Sequence, residues 1–387
     1  MPANRSALEP EWSLLRTACA PGDEARKQES VRSWLQSGIR WNVLFHLAER
    51  HGVRPALAQA LLKVGASIPD EQKGALKDIF QTNLRKSLLL ARELIRIVDH
   101  LSRTGLDVIP YKGIALAEAV YGDIALRQTG DIDLLIRTAD LQKVRAAVGE
   151  VGYTPHFVFS GAEEKAYLKS GYEYVFDGAG APNLLEIQWA IQPRFYAVDF
   201  DVDGAFRRAV AVLVAGHPMK TLSTEDLFLV LAVHAAKHAW ERLVWLCDLA
   251  RIMRSPTLNW REIGSQAKAL GIARIVRVTL LLANRILGAQ IPAAADRVLP
   301  PDWCANKLAG EIESQLAGQT GYRVESLAYF RLMMRLRERR RDRLRFFSRL
   351  AFTPGPGEWA AVRLPRPFFP LYGIVRLFRL AARLARG

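Results

Sequence analysis

Two aspartates one residue apart, Asp131 and Asp133, stand at the start of an apolar run that ends at Ile136. Side chains alternate between the two faces of a β-strand, so residues at positions i and i+2 point to the same side. Two carboxylates held together against a core repel each other, and a bound divalent cation relieves that repulsion. Oxygen donors favour Mg²⁺ or Mn²⁺ over Zn²⁺. The spacing therefore predicts a metal-binding strand and indicates metal-assisted phosphate chemistry.

A glycine turn and a short helix precede these aspartates. The turn is Lys112-Gly113, a helical pattern follows it, and Gly130 directly precedes the first aspartate. This order resembles the nucleotidyltransferase superfamily of the DNA polymerase beta type, in which a glycine turn, a short helix and a strand with Asp-x-Asp follow one another. The Lys-Gly form of the turn, with Arg127 shortly before Asp-Ile-Asp, is similar to a bacterial branch of uncharacterised nucleotidyltransferases. The resemblance extends over roughly residues 80–380.

The resemblance implies a third acidic residue on a later strand. Glu186 is the best match, with Glu173 and Asp177 as competing acids nearby. Asp131, Asp133 and Glu186 would then be catalytic and would hold Mg²⁺ (or Mn²⁺). Glu186 is either a metal ligand or the general base, and the sequence leaves both roles open. The implied reaction moves a nucleoside monophosphate from an NTP to an acceptor and releases pyrophosphate.

The resemblance also implies a set of nucleotide-binding residues. They are Lys112, Gly113, Arg127, Gly130 and Lys237. The turn lacks the usual serine, so Lys112 or backbone N–H groups at the start of the helix would have to hold a phosphate. For two of these residues the sequence also allows a structural role in place of nucleotide binding. Lys112 is otherwise a solvated helix end, and Arg127 is otherwise an ion-pair partner of Asp123 or Glu118.

Histidines and aromatic residues offer weaker signals. His234 and His238 share one helix face, but the glutamate of a zinc protease motif is absent, so packing or a polar cleft wall is the preferred interpretation. Four aromatic residues are candidates for stacking a nucleobase, although such residues usually belong to the core. They are Tyr111, Trp189, Trp240 and Trp245, with Trp189 the strongest because it follows Glu186 closely.

Composition excludes several other classes of protein. The three cysteines are far apart and in no Cys-x-x-Cys arrangement, which indicates reduced thiols rather than a disulfide framework or a zinc site. The N-terminus lacks the layout of a signal peptide, and no run of about 18 apolar residues occurs. We therefore expect a cytoplasmic protein without a transmembrane segment.

Positive charge is concentrated at the C-terminus. The chain carries a net charge of +15, and residues 323–387 contain 16 Arg and four acids, which gives 16 − 4 = +12. The densest run consists of Arg335, Arg337, Arg339, Arg340, Arg341, Arg343 and Arg345. It is interpreted as a solvated or partner-binding face, as a surface for RNA phosphates, or, with the basic amphipathic stretch 371–385, as a peripheral contact to an anionic membrane.

The order of elements predicts an α+β fold with a small mixed β-sheet. We expect an N-terminal helical segment (1–104), the nucleotidyltransferase core (105–222), a helical domain (223–350), and a Pro/Gly break with a basic amphipathic helix (351–387). Strands are expected near 106–111, at the Asp-x-Asp run, and near 156–160, 172–176 and 184–190. Residues 1–30 are expected to be poorly ordered.

The acceptor stays open at this level. A small biosynthetic intermediate, an RNA 3′ end such as that of tRNA, and a protein side chain all fit the pattern. The alternative to an enzyme is a nucleotide-binding, RNA-binding or scaffold protein that keeps the fold without the chemistry. An intact set of three acids favours the enzyme.

Overall fold

The structure is a computed structural model, which describes residues 9–179, 181–318, 321–322, 326–362 and 364–386. These residues form nineteen α-helices and seven β-strands. The helices are α1 (Glu9–Cys19), α2 (Glu24–Leu35), α3 (Trp41–Arg50), α4 (Arg54–Val64), α5 (Asp70–Arg103), α6 (Gly113–Tyr121), α7 (Leu141–Glu150), α8 (Gly161–Ser170), α9 (Val202–Arg208), α10 (Thr224–Lys237), α11 (Leu243–Ile252), α12 (Trp260–Leu270), α13 (Ala273–Leu287), α14 (Ala293–Val298), α15 (Trp303–Ala317), α16 (Leu327–Arg335), α17 (Arg340–Phe352), α18 (Pro356–Ala361) and α19 (Tyr372–Arg386). The strands are β1 (Ile109–Pro110), β2 (Ile132–Leu135), β3 (Thr154–Pro155), β4 (Glu173–Gly178), β5 (Ala181–Gln188), β6 (Val210–Val214) and β7 (His217–Thr221).

Five strands form one mixed sheet in the order β1-β2-β5-β4-β3. β2 and β5 run parallel, and the other neighbours in this sheet are antiparallel. β6 and β7 form a separate antiparallel hairpin. The predicted α+β class with a small mixed sheet is therefore confirmed.

The buried apolar residues divide into two clusters. One lies between the sheet, the second half of α5 and α7, with residues such as Leu94, Ile97 and Val144. The other joins the N-terminal helices to the later helices, and includes Leu14 of α1, Leu57 of α4 and Leu280 of α13. The N-terminal helices thus share a core with the second half of the chain, and the predicted domain boundaries stay a prediction.

Two expectations about local structure are wrong. Residues 9–30 are largely helical, because Trp12, Leu15 and Cys19 recur at helical spacing and are buried. No strand forms at 156–160, since β3 ends at residue 155 and α8 begins at 161. Ser160 and Glu163 form a capping box that starts α8. The hairpin β6–β7 is an addition that the sequence did not indicate.

The Arg-rich run is two helices rather than one. α16 ends at residue 335 and α17 begins at 340. Six of the seven arginines bond to other residues of the chain. Most of the run is therefore not a freely solvated face. The partners are Glu311 for Arg335, backbone carbonyls for Arg337 and Arg343, Asp342 for Arg339 and Arg341, and Asp199 for Arg345.

Among the helices of the described ranges, none is both long enough and apolar enough to span a membrane.

Candidate active site

Parallel pairing of β2 and β5 brings two of the predicted acids together. Asp133 lies opposite Glu186 in the strand register. The side-chain amide of Gln188, two residues after Glu186, donates to both, at 3.0 Å to Asp133 Oδ1 and 2.9 Å to Glu186 Oε2. A third acceptor, Glu173 Oε2 on β4, lies 3.2 Å from the same amide nitrogen. Gln188 therefore sits at the centre of a carboxylate cluster.

Lys112 supplies the positive charge of this cluster. Its ammonium nitrogen lies 2.8 Å from Asp133 Oδ1, and both side chains are largely buried. Burial alone would lower the pKa of Lys112, but attraction to Asp133 and Glu186 outweighs it and raises the pKa well above its usual value. Lys112 is thus a fixed cation inside the site, and the alternative of a solvated helix end is wrong.

Burial and neighbouring charges also shift the pKa of Asp131 and of Glu186. Burial, followed by repulsion from Asp133, raises the pKa of Asp131. Burial raises the pKa of Glu186 to about 9, with further contributions from Asp133 and Glu173. The cluster holds more carboxylate than Lys112 can neutralise, so its electrostatics favour a further positive charge.

Gly113 packs against the strand that carries the aspartates. Its φ of +52° lies in the left-handed region, and a Cβ there would stand 2.9 Å from the backbone oxygen of Asp131. Glycine is required on both grounds. The predicted glycine turn therefore adjoins the Asp-x-Asp strand, with the first N–H groups of α6 beside it. Gly130 has no such requirement, because its φ is not positive and only the end of Lys86 approaches it.

Thr129 is a site residue that sequence reasoning missed. Its hydroxyl oxygen would lie 3.1 Å from a Cβ at Gly113, so it faces the glycine turn. The oxygen is buried and has no hydrogen-bond partner among the described residues. The hydroxyl that the turn itself lacks is thus provided by the loop before β2. Thr129 is far from Gly113 in the sequence. The only sequence signal for it is its position two residues before Asp131.

Arg127 is paired with a residue that the sequence did not suggest. Its Nε and Nη2 donate to the carboxylate of Asp248 on α11, each at 3.0 Å, and the hydroxyl of Tyr121 donates to the same carboxylate at 2.7 Å. Asp248 is fully buried. The alternative partners Asp123 and Glu118 are wrong, although the ion-pair interpretation of Arg127 is right. Its nucleotide contact stays a prediction.

The C-terminal end of α10 forms the facing wall. Burial and the charge of Lys112 lower the pKa of Lys237 to about 8, and attraction from Glu173 and Glu186 opposes that shift. The ammonium of Lys237 lies over the ring of Tyr172, 5.2 Å from its centroid. Lys237 therefore lies across the cluster from the glycine turn.

The two histidines of α10 pack on one tryptophan. His234 and His238 lie 5.2 and 5.3 Å from Trp245, measured between ring centroids. Burial, followed by nearby lysine charge, lowers the pKa of both, to about 4 for His238. Both rings are therefore neutral at pH 7, and they form a polar wall rather than a charged one.

The remaining candidates lie in the core. Trp189 is buried against Tyr174, with ring centroids 5.1 Å apart, and Trp240 donates from its indole to Thr279 at 3.1 Å. Tyr111 donates to the side-chain oxygen of Gln188 and so orients the bridging amide. Trp189 and Trp240 are therefore packing residues, and of the three only Tyr111 contacts the carboxylate cluster.

The donor chemistry of the cluster fits a hard divalent cation. Asp131, Asp133 and Glu186 offer carboxylate oxygens, which Mg²⁺ and Mn²⁺ prefer. As arranged, however, no three His, Cys, Asp or Glu side chains in the described part of the chain form a cation-binding group. Lys112 and Gln188 occupy Oδ1 of Asp133, and Gln188 also occupies Oε2 of Glu186. A cation that binds through these two oxygens would displace Lys112 and the amide of Gln188.

Comparison with protein families agrees with this geometry. The family described as uncharacterised nucleotidyltransferase matches residues 37–288, about two thirds of the chain. The chain belongs to this family. Its match includes the site residues from Lys112 to Asp248, begins before the predicted span of 80–380 and ends before the Arg-rich run. Comparisons with curated proteins and with solved structures give no match. Family membership assigns nucleotidyl transfer as the general role of the chain.

Proposed function

We propose that this nucleotidyltransferase moves a nucleoside monophosphate from an NTP to an acceptor, with a divalent cation and with release of pyrophosphate. The observation that carries the proposal is the register of two neighbouring parallel strands. It sets Asp133 against Glu186, beside Asp131 and the glycine turn. In the described residues, this is the acidic cluster that adjoins both a glycine turn and a buried lysine.

The cation would be Mg²⁺ or Mn²⁺, held by Asp131, Asp133 and Glu186. When bound, it would neutralise charge on the triphosphate and on the leaving pyrophosphate. Lys112, once turned away from Asp133, has the length and charge to contact a phosphate oxygen. The free N–H groups at the start of α6 and the hydroxyl of Thr129 give the turn its donors.

The transfer itself forms one bond and breaks one. An acceptor oxygen attacks the α-phosphorus, the bond between that phosphorus and the bridging oxygen breaks, and pyrophosphate leaves. A proton on the acceptor, where there is one, passes to a carboxylate of the cluster. Glu186 takes this proton if it acts as the general base instead of holding the cation, because burial and neighbouring charges raise its pKa.

The arrangement of the other cations supports a small acceptor over RNA. Arg127 is held by Asp248, and most of the Arg-rich run is bonded within the chain. RNA binding would draw on freely exposed cations that release counterions. We assign Arg127 to positioning the loop before β2, and Lys237 on the facing wall to the acceptor rather than to the NTP.

The test is NTP binding by calorimetry with and without Mg²⁺, followed by a pyrophosphate-release assay. Asp133→Asn keeps the shape of the side chain and removes the charge that holds the cation. We expect Mg²⁺-dependent binding in the wild type and at least a hundredfold loss of pyrophosphate release in the variant. Asp177→Asn is the matched control, because Asp177 lies on β4 of the same sheet and contacts His156 instead. Wild-type protein that binds none of the four NTPs would refute the enzyme and favour a scaffold.

A further inference from the structure

A large apolar cavity adjoins the carboxylate cluster. Its volume is about 710 Å³, within the range of pockets that bind small organic molecules. Its lining is mostly apolar and includes side chains from α16, α17 and α19, such as Phe330, Phe346 and Leu380. The residues to which we assign the triphosphate, Lys112, Gly113 and Thr129, do not line this cavity.

The cavity meets the catalytic cluster at Tyr172 and Lys237, which line it. Tyr172 is followed directly by Glu173, which the amide of Gln188 joins to Asp133 and Glu186. An occupant whose reactive end rests on Lys237 therefore lies beside the acids.

The charges in the lining are unequal. Arg376 is held by Glu358 at 3.1 Å, so this pair is neutral overall. Lys237 forms no salt bridge with any described residue, and its ammonium rests on the ring of Tyr172. Its backbone is fixed as well, because the hydroxyl of Tyr329 donates to its carbonyl oxygen at 2.6 Å. The inner end of the cavity thus presents a positioned cation that no carboxylate of the described residues holds in a salt bridge.

Part of the cavity lining on α17 and α19 is exposed to solvent. Phe347 and Leu377 line the cavity and are 50% and 41% exposed. Further apolar side chains on the same helices, Phe352 and Phe378, are exposed as well. Exposed apolar side chains of this kind contact the hydrophobic part of a ligand, while its polar end lies further in, at Lys237.

We infer that the acceptor is an amphiphile whose apolar body fills this cavity and whose anionic head group, a carboxylate or a phosphate, lies on Lys237. This inference rests on the proposed function for the reaction, and on the cavity for the binding. An oxygen of the head group attacks the α-phosphorus of the NTP, the bond to the bridging oxygen breaks, and pyrophosphate leaves. An ionised head group has no proton to give up, so the step balances without a base.

The probes that test the inference are decyl phosphate, decanoate, decanol and the shorter hexyl phosphate, titrated by calorimetry without NTP. We expect decyl phosphate to bind more tightly than hexyl phosphate, by up to about fourfold for each methylene buried. We also expect it to bind more tightly than decanol. In Lys237→Met the preference for phosphate over alcohol should disappear, while decanol binding stays as in the wild type.

Cavity-filling variants separate this pocket from the rest of the surface. Ala351→Trp on α17 places a large ring in the cavity and should weaken decyl phosphate by at least tenfold. Leu344→Trp on the same helix is the control, because Leu344 is exposed and does not line the cavity. If Ala351→Trp fails to fold, Ser170→Trp fills the cavity from α8. Unchanged binding of decyl phosphate in a folded cavity-filled variant would overturn the inference.

NTP binding is measured on the same samples. This measurement distinguishes a failure of the proposed function from a failure of the amphiphile inference. Wild-type protein that binds decyl phosphate but no NTP would refute the proposed function and leave the cavity as an amphiphile site. Normal NTP binding without chain-length dependence would refute the amphiphile. Loss of NTP binding in Ala351→Trp would overturn the inference too, because it would show that the nucleotide occupies the cavity.

Discussion

The pair of Arg127 and Asp248 yields a prediction that can be worked through in energy. Asp248 is fully buried, and Arg127 is only 10% exposed. Removing one partner of such a pair leaves an uncompensated buried charge, which costs about 3–5 kcal/mol. Because domains are stable by only about 5–15 kcal/mol, Asp248→Ala should lose a large share of the free energy of unfolding.

Removing both partners should cost less than removing one. In Arg127→Met/Asp248→Leu no charge stays buried, and apolar replacement of a buried ion pair is often neutral within about 1–2 kcal/mol. The assay is urea unfolding followed by tryptophan fluorescence, for the two single variants and the double variant. Arg345→Met is the control, because Arg345 and its partner Asp199 are about half exposed, and such a pair contributes below about 1 kcal/mol.

Two results would contradict the reasoning. A double variant as unstable as the sum of the single variants would show that the two side chains act independently. A folded double variant that no longer binds NTP would return Arg127 to the nucleotide. We expect the folded double variant to bind NTP about as tightly as the wild type, because the proposed function assigns the phosphates to Lys112, Thr129 and the start of α6.

Three further predictions concern single residues. Gly113→Ala should cost about 1–3 kcal/mol in urea unfolding and abolish NTP binding, whereas Gly122→Ala, also at positive φ but with open space around it, should leave binding intact. Thr129→Val should keep the stability and weaken NTP by roughly 10–100-fold in calorimetry, and equal affinity would remove Thr129 from the site. Burial lowers the pKa of His51 to about 4, below the value of about 6.5 in unfolded chains, so its stabilisation is complete above pH 6.5 and is lost as the pH falls toward 4. Urea unfolding should therefore show a loss of about 2 kcal/mol between pH 7.5 and 5 that His51→Asn, which retains an acceptor for the N–H of Leu243, does not show; an equal loss in both proteins would refute it.

The parts of the site that the sequence predicted are those with local signals. Asp131 and Asp133 share a strand, and Gly113 shares a turn with Lys112, so spacing alone places them. Glu186 required only that a later strand pair with β2. The structure confirms that pairing through the register of Asp133 and Glu186.

The parts that the sequence left out depend on tertiary contacts. Asp248 meets Arg127 across 121 residues of chain, and no spacing rule connects them. Thr129 and Gln188 are ordinary polar residues until the fold sets one beside the glycine turn and the other among three carboxylates. α8 was a different kind of omission, because Ser160 and Glu163 carried a capping-box signal within four residues.

The shared core of the first and later helices has a consequence for how the chain is made. The backbone N–H of Leu243 donates to the ring of His51 across 192 residues, and α1 packs in the same cluster as α13. At about 5–20 residues per second, a ribosome needs roughly 10–40 s to span that interval. During that time α1 and α4 can pack on each other and on α5, but the part of α1 that contacts α13 has no partner. We therefore expect this surface of the nascent chain to bind chaperones until α13 emerges.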